Sequence, residues 1–266
     1  MFTAGLLRTV ARLTVTRILF YRIFILLALA ISCAPTSVKA QSGDKAELDL
    51  PPQAPPPGKG LPDFNGVWQA PYVPDLSRPL GAQPPFTAFG AEQFKNHLGG
   101  DDPSGYCQPD GPTRTIHSPF PFQIVQTAGM TTVLFEIQHT FRRIFTDGRN
   151  HPKDPDTSWW GDSVGKYDGD TLRVDTIAMN DKSWLDTADH QHSEKLHVTE
   201  VFKKTGPDTI QWTVTYDDPV YFTKPWSISL PLKRQKFDIM EMICTENNRD
   251  TPHYITSEKE KGKRPQ

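Results

Sequence analysis

Five residues in the second half of the chain, Arg149, His151, Asp186, His192 and Glu200, are of the types that acid-base catalysis uses. A histidine moves protons near neutral pH, a carboxylate orients or assists it, and a guanidinium stabilises negative charge as it develops. The run Asp147, Gly148, Arg149, Asn150, His151, Pro152 places an acid, a cation and a base in one turn. Asp147 can orient His151 there while Arg149 takes an anionic or carbonyl oxygen. A salt-bridged turn is the competing reading.

Glu200 is singled out by its neighbours. Strand alternation puts Leu196, Val198, Glu200 and Phe202 on one face, so this carboxylate sits on an apolar wall. Such a wall suits a general acid or base, unless Arg142, Arg143 or Arg149 neutralises the group as a structural pair. Glu241 holds the same kind of position in an expected strand at 237–244. His190 and His192, two apart in extended chain, form a candidate metal-binding pair, followed by His197 and Glu200. The spacing departs from the double-stranded β-helix metal pattern, because Leu196 and His197 stand where the glutamate belongs. Solvated loop histidines are the alternative, and no other cofactor is implied. Trp159, Trp160 and Trp184 fall in expected loops, where they line a mouth for an aromatic, steroid-like or sugar ligand or plug a barrel end. Arg143, Trp160, Trp184 and Glu241 make up the candidate ligand-binding set. The sequence has no Gly-x-Ser-x-Gly elbow, phosphate loop or dinucleotide fingerprint.

The elements that must position these residues follow an export signal. In the 266-residue chain all five charges of residues 1–40 are positive, so removing them takes lysine plus arginine from 29 to 24, leaves 31 acids, and moves the net charge from -2 to -7. An acidic mature chain is a poor phosphate-backbone binder, and no nucleic-acid partner is expected. Arginines precede the apolar run 23–32, and Ser37, Val38, Lys39 and Ala40 offer a cleavage site before Gln41. That run is short against the roughly 20 residues that span a bilayer, so no transmembrane span is expected after processing. The expected location is the periplasm or the exterior, or, if Cys33 is lipidated, a lipoprotein anchor. Removing residues 1–40 leaves Cys107 and Cys244, an even number in an oxidising compartment, from which a disulfide is predicted, two buried thiols being the alternative.

Residues 41–62 read as a proline-rich spacer and 63–266 as a single domain. Residues 71–121, broken by many prolines, wrap the outside or cover an opening, with a helix expected only at 87–98. Beyond them, strands are expected at 66–68, 123–127, 131–138, 141–146, 163–167, 171–177, 194–204, 209–216, 226–232 and 237–244, with hairpins at Asp168-Gly169 and at residues 205–208. Neighbouring hairpins with little helix indicate an all-β fold, an antiparallel up-and-down, lipocalin-like barrel with a long irregular N-terminal segment, ahead of a sandwich.

Phe141 to Arg149 (FRRIFTDGR) and Trp160 to Leu172 (WGDSVGKYDGDTL) carry a resemblance. With Trp184-Leu185-Asp186, His192-Ser193, Asp217-Asp218-Pro219, Lys224-Pro225-Trp226 and Cys244-Thr245-Glu246-Asn247-Asn248, they resemble a family of exported bacterial β-rich proteins of unassigned function. Arg149, Asp186, His192 and Glu200 belong to that pattern; His190 and His197 do not. Gly66-Val67-Trp68 is similar to the Gly-x-Trp opening of lipocalins. Three functions stand open: a periplasmic enzyme (hydrolase, lyase or isomerase) acting on a small molecule in a barrel cavity, a lipocalin-type carrier of a hydrophobic or aromatic small molecule, and a non-catalytic envelope protein. The expected partner is a small-molecule ligand, and oligomeric state is left open.

Overall fold

The computed structural model describes residues 60–96 and 102–246. The export segment 1–40 with Cys33, and spacer residues 41–59, lie outside the described residues.

Alternation of buried and exposed side chains carries the chain through nine described strands. They are β1 (Gly66–Gln69), β2 (Phe122–Thr127), β3 (Met130–Phe135), β4 (Thr140–Phe145), β5 (Asp162–Asp168), β6 (Thr171–Ile177), β7 (His197–Gly206), β8 (Thr209–Asp217) and β9 (Trp226–Arg234). In β8 every second residue, Ile210, Trp212, Val214 and Tyr216, is fully buried, as a period of two requires when one face meets a core. The strands close into a barrel in chain order, and β1 pairs with both β2 and β9. Trp68, Phe122, Phe202, Trp212 and Leu232 belong to one buried cluster inside the wall. Truncating such a lumen aromatic to alanine costs about 3–5 kcal/mol.

Every junction is antiparallel except β4 to β5, which run parallel with Phe145 registered on Val164. An odd ring cannot alternate direction all the way round, so nine strands need at least one parallel seam. Residues 146–161 therefore return outside the sheet before β5 begins, and the barrel is mostly rather than wholly up-and-down. Gly165 sits at this seam because a Cβ there would lie 2.7 Å from Ile144 Cγ2. The β5–β6 loop has only two residues, Gly169 and Asp170, and Gly169 supplies the positive φ (+57°) that a tight primed turn needs.

Residues 237–244 do not form the expected strand. The edge of β9 that would have received it is taken by β1, through Trp68↔Arg234 and Gln69↔Lys233. The tail is instead held by a hydrogen bond from Met240 N to Glu136 Oε2 (2.8 Å) and by a Cys107–Cys244 disulfide, Cα to Cα 5.6 Å. That disulfide joins residues 137 apart and stabilises typically by about 2–4 kcal/mol, chiefly by restricting the unfolded chain. β3 stops at Phe135, before a 3₁₀ turn at Ile137–His139, and β7 starts at His197 rather than 194, because the Asp218 carboxylate holds Ser193 in a turn.

Among its described residues the proline-broken segment holds three short α-helices, α1 (Ser77–Leu80), α2 (Ala88–Asn96) and α3 (Gly111–Ile116). It is stitched to the β6–β7 and β8–β9 connections by Leu76 N to Asp186 Oδ2 (2.7 Å), Thr87 N to Tyr221 O (2.9 Å) and Thr223 N to Pro85 O (2.7 Å). Those two connections leave the same end of the barrel, so the segment caps that end. Among the described residues no helix is long and apolar enough to cross a membrane.

Candidate functional site

The capped end holds a cavity of about 170 Å³, lined among others by Tyr72, Asp110, Arg114, His117, Asp186 and Thr187. Three of these come from one helical turn. Pro112 opens α3, and Asp110 and Arg114 lie i, i+4 on its cavity side, with His117 just past its end. Arg114 forks onto Asp102, with Nη1 to Oδ1 at 2.9 Å and Nη2 to Oδ2 at 2.5 Å, while its Nε stands 3.7 Å from Asp110 Oδ1. That oxygen is buried and has no hydrogen-bond partner. Burial pushes the Asp110 carboxyl above the ordinary carboxylate range, and the Arg114 charge and a hydrogen bond from the Ser104 side chain only partly oppose it.

His117 is fully buried, and burial lowers its pKa to about 4, so the ring is neutral at physiological pH. Its Nε2 donates to the Leu185 carbonyl (3.1 Å), which leaves the lone pair on Nδ1. Asp186 closes the cavity as a fully saturated hub. Oδ2 accepts from Leu76 N and from His190 Nδ1 (2.5 Å), and Oδ1 accepts from the amides of Ala188 (2.9 Å) and His190 (3.3 Å). His190 is itself fully buried and stacks against Phe94 and Phe86, ring centroids 4.9 and 5.9 Å away. A neutral base and a carboxyl that burial drives towards its neutral form thus line one small pocket, an arrangement suited to proton transfer to and from a bound molecule.

The other expected site residues are divided among separate places. Glu200 does point into the barrel, but the adjacent Arg142 meets it: Nη2 to Oε2 is 2.5 Å, and Trp212 Nε1 donates to Oε1 at 3.0 Å. Arg142 also donates to Ser163 Oγ and Thr176 Oγ1, while its buried Nη1 has no hydrogen-bond partner. This is the structural pair, a buried charge neutralised in place. His192 is buried one step from the cavity, with Nε2 accepting from Ser183 Oγ (3.0 Å) and Nδ1 donating to the Ser193 carbonyl (3.1 Å). Burial lowers its pKa, and the Ser193 carbonyl opposes this.

Arg149 and His151 lie on the outer wall beside the seam. Asp147 engages Arg149 (Nη2 to Oδ2, 2.6 Å) and not His151, whose ring bridges Asp162 (2.5 Å) and Asp175 (3.1 Å). Arg143 is exposed on the same wall, its guanidinium 5.6 Å from the Phe145 ring. Trp184 is buried and Trp160 stacks on Phe135 at 5.1 Å, so both pack into the capped end. Glu241 is exposed on the irregular tail, not inward on a strand.

Sequence reasoning missed Asp110, Arg114 and His117, and the available signal was their spacing of four and three across a proline-initiated turn. His190 and His192 turn to different partners. Asp75, Asp186 and His190 bring ligand-type atoms within 4.8 Å of one another, but Asp186 and His190 are already joined through the His190 Nδ1 hydrogen bond. Comparison with protein-family models, curated proteins and solved structures found no match.

Proposed function

We propose that this chain is an enzyme acting on a small, uncharged polar molecule in the end cavity, with Asp110 as general acid and His117 as general base. The carrying observation is the Asp110 carboxyl, which lines the cavity and whose buried Oδ1 has no hydrogen-bond partner, Arg114 Nε standing 3.7 Å from it. A buried polar atom of that kind is costly unless something binds it. The cavity, about 170 Å³, is near the roughly 150 Å³ that accepts a benzene-sized guest, which limits the substrate to about ten heavy atoms. Arg114 is occupied by Asp102 and Asp110 and has little charge left for an anion, so a neutral substrate fits better. The packed lumen argues against a lipocalin-type carrier and moves the chemistry from the barrel interior to its capped end. Export is part of the same reading, supported by the disulfide and the arginine-flanked apolar run 23–32.

The test is a screen of neutral esters, lactones and hydroxy-carbonyl compounds for turnover by the wild type, repeated with Asp110→Asn. The near-isosteric amide cannot act as an acid, so turnover should fall at least about 100-fold while affinity stays within a few fold. Unchanged turnover in Asp110→Asn sinks the assignment; ligands that bind and are never converted would make the cavity a binding site only.

A further inference from the structure

On the outer wall, at the parallel seam, lies a groove of about 630 Å³, within the size range of small-ligand sites. Leu61, Arg149, Val164, Lys166 and Arg173 are among the residues that line it. The β5–β6 register sets Lys166 directly opposite Arg173, and outward alternation brings both to the same face. Like charges facing each other across a strand pair are unfavourable unless a counter-charge lies over them. Among the described residues neither cation has a carboxylate partner, and both are exposed. Arg149 adds a third cation, engaged by Asp147 and stacked 3.9 Å from the centroid of the Phe145 ring. The carboxylate inside the groove, Asp175, is taken up by His151 and His197. Leu61 and Val164 give the groove apolar surface beside the cations.

We infer that this groove is a second ligand site, independent of the end cavity, and that it binds a small amphipathic organic anion. The acid group sits between Lys166 and Arg173, within reach of Arg149, and the apolar body lies along Val164 and Leu61. The charge is complementary, the two cations are held in fixed register by a two-residue turn, and the site needs no rearrangement of the barrel.

Isothermal titration calorimetry with decanoate and with 1-naphthoate, each below its aggregation concentration, tests this on the full mature chain. At least one should bind saturably with a stoichiometry of one, and decanol, which has no charge, should bind at least tenfold more weakly than decanoate. The double variant Lys166→Gln/Arg173→Gln should weaken the anion at least tenfold without shifting the melting temperature by more than a degree or two, since both positions are exposed. Asp110→Asn should leave this binding unchanged, which separates failure here from failure of the cavity reading. The inference is overturned if neither anion binds, if decanol binds as well as decanoate, if the double variant binds normally, or if inorganic phosphate displaces the organic anion at equal concentration.

Discussion

The end cavity and the seam groove are built from the same residue types, arginine, aspartate and histidine, yet their charges are arranged in opposite ways. In the cavity Arg114 is held by Asp102 and approached by Asp110, and Asp186 is saturated by four donors. In the groove Lys166 and Arg173 face each other with no acid between them. Burial is the reason. An enclosed ion without a partner costs several kcal/mol, so the capped barrel end gathers its charges into networks, with Asp110 Oδ1 among the atoms left without a hydrogen bond. An outer wall lets water solvate what the protein does not pair, so excess charge there costs little and remains available to a ligand. The two aspartate–histidine pairs repeat the contrast: Asp186–His190 is wholly buried, whereas Asp175–His197 is almost half exposed.

The strongest way to break the comparison is Asp186→Ala. Removing this buried carboxylate leaves the Leu76 and Ala188 amides and the His190 ring unpaired, and should destabilise by about 3–5 kcal/mol in urea denaturation. Asp175→Ala on the outer wall should move the midpoint far less, and equal effects would show that burial does not separate the two regions.

A smaller effect is expected from pH. The His117 pKa is about 4 in the fold against an ordinary 6.5, so unfolding takes up a proton between those values. That contribution is present in full above pH 6.5 and is lost as pH falls towards 4, by about 3 kcal/mol in all. His192, also lowered by burial, acts in the same sense, while Asp110, raised by burial, opposes them as pH climbs above 3.8. Stability measured from pH 4.5 to 7.5 should therefore rise less steeply in His117→Gln than in the wild type; an unchanged slope would place His117 in contact with solvent.

The smallest effect should come from the groove. Arg173→Glu turns the like-charge pair with Lys166 into an opposite one and should raise stability by about 0.2–1 kcal/mol, the gain shrinking with added salt. A loss of stability there would mean that Arg173 already has a favourable role in the empty groove.

Much of the barrel wall was legible because a period of two reports which face is buried. The strands around Asp168-Gly169 and residues 205–208, the inward direction of Glu200, and the Cys107–Cys244 bond all follow from local pattern or from counting cysteines. The expected strand at 237–244 was misread because its apolar residues alternate adequately; nothing local reveals that β1 has already closed the barrel against β9. Glu200 was read correctly as to face and left open as to role, since its neutralisation by Arg142 spans 58 residues. The cavity residues were the hardest to find. They sit where prolines interrupt every period, and only the i, i+4 step from Asp110 to Arg114 marks them.

The hairpin that carries Lys166 and Arg173 was in the sequence, but their opposition was not: a turn at Asp168-Gly169 would pair Lys166 with Thr171, and the observed turn at Gly169 and Asp170 pairs it with Arg173. What the tertiary structure alone decided is what lies beside each such feature. Closure of an odd ring forced a parallel seam, and the seam turned a surface hairpin into one wall of a groove. Packing of residues 70–96 and 102–121 over one end turned ordinary aspartates and histidines into buried groups with altered protonation. Local pattern sets the direction of a side chain, but its charge state and its access depend on neighbours that only closure and capping bring near.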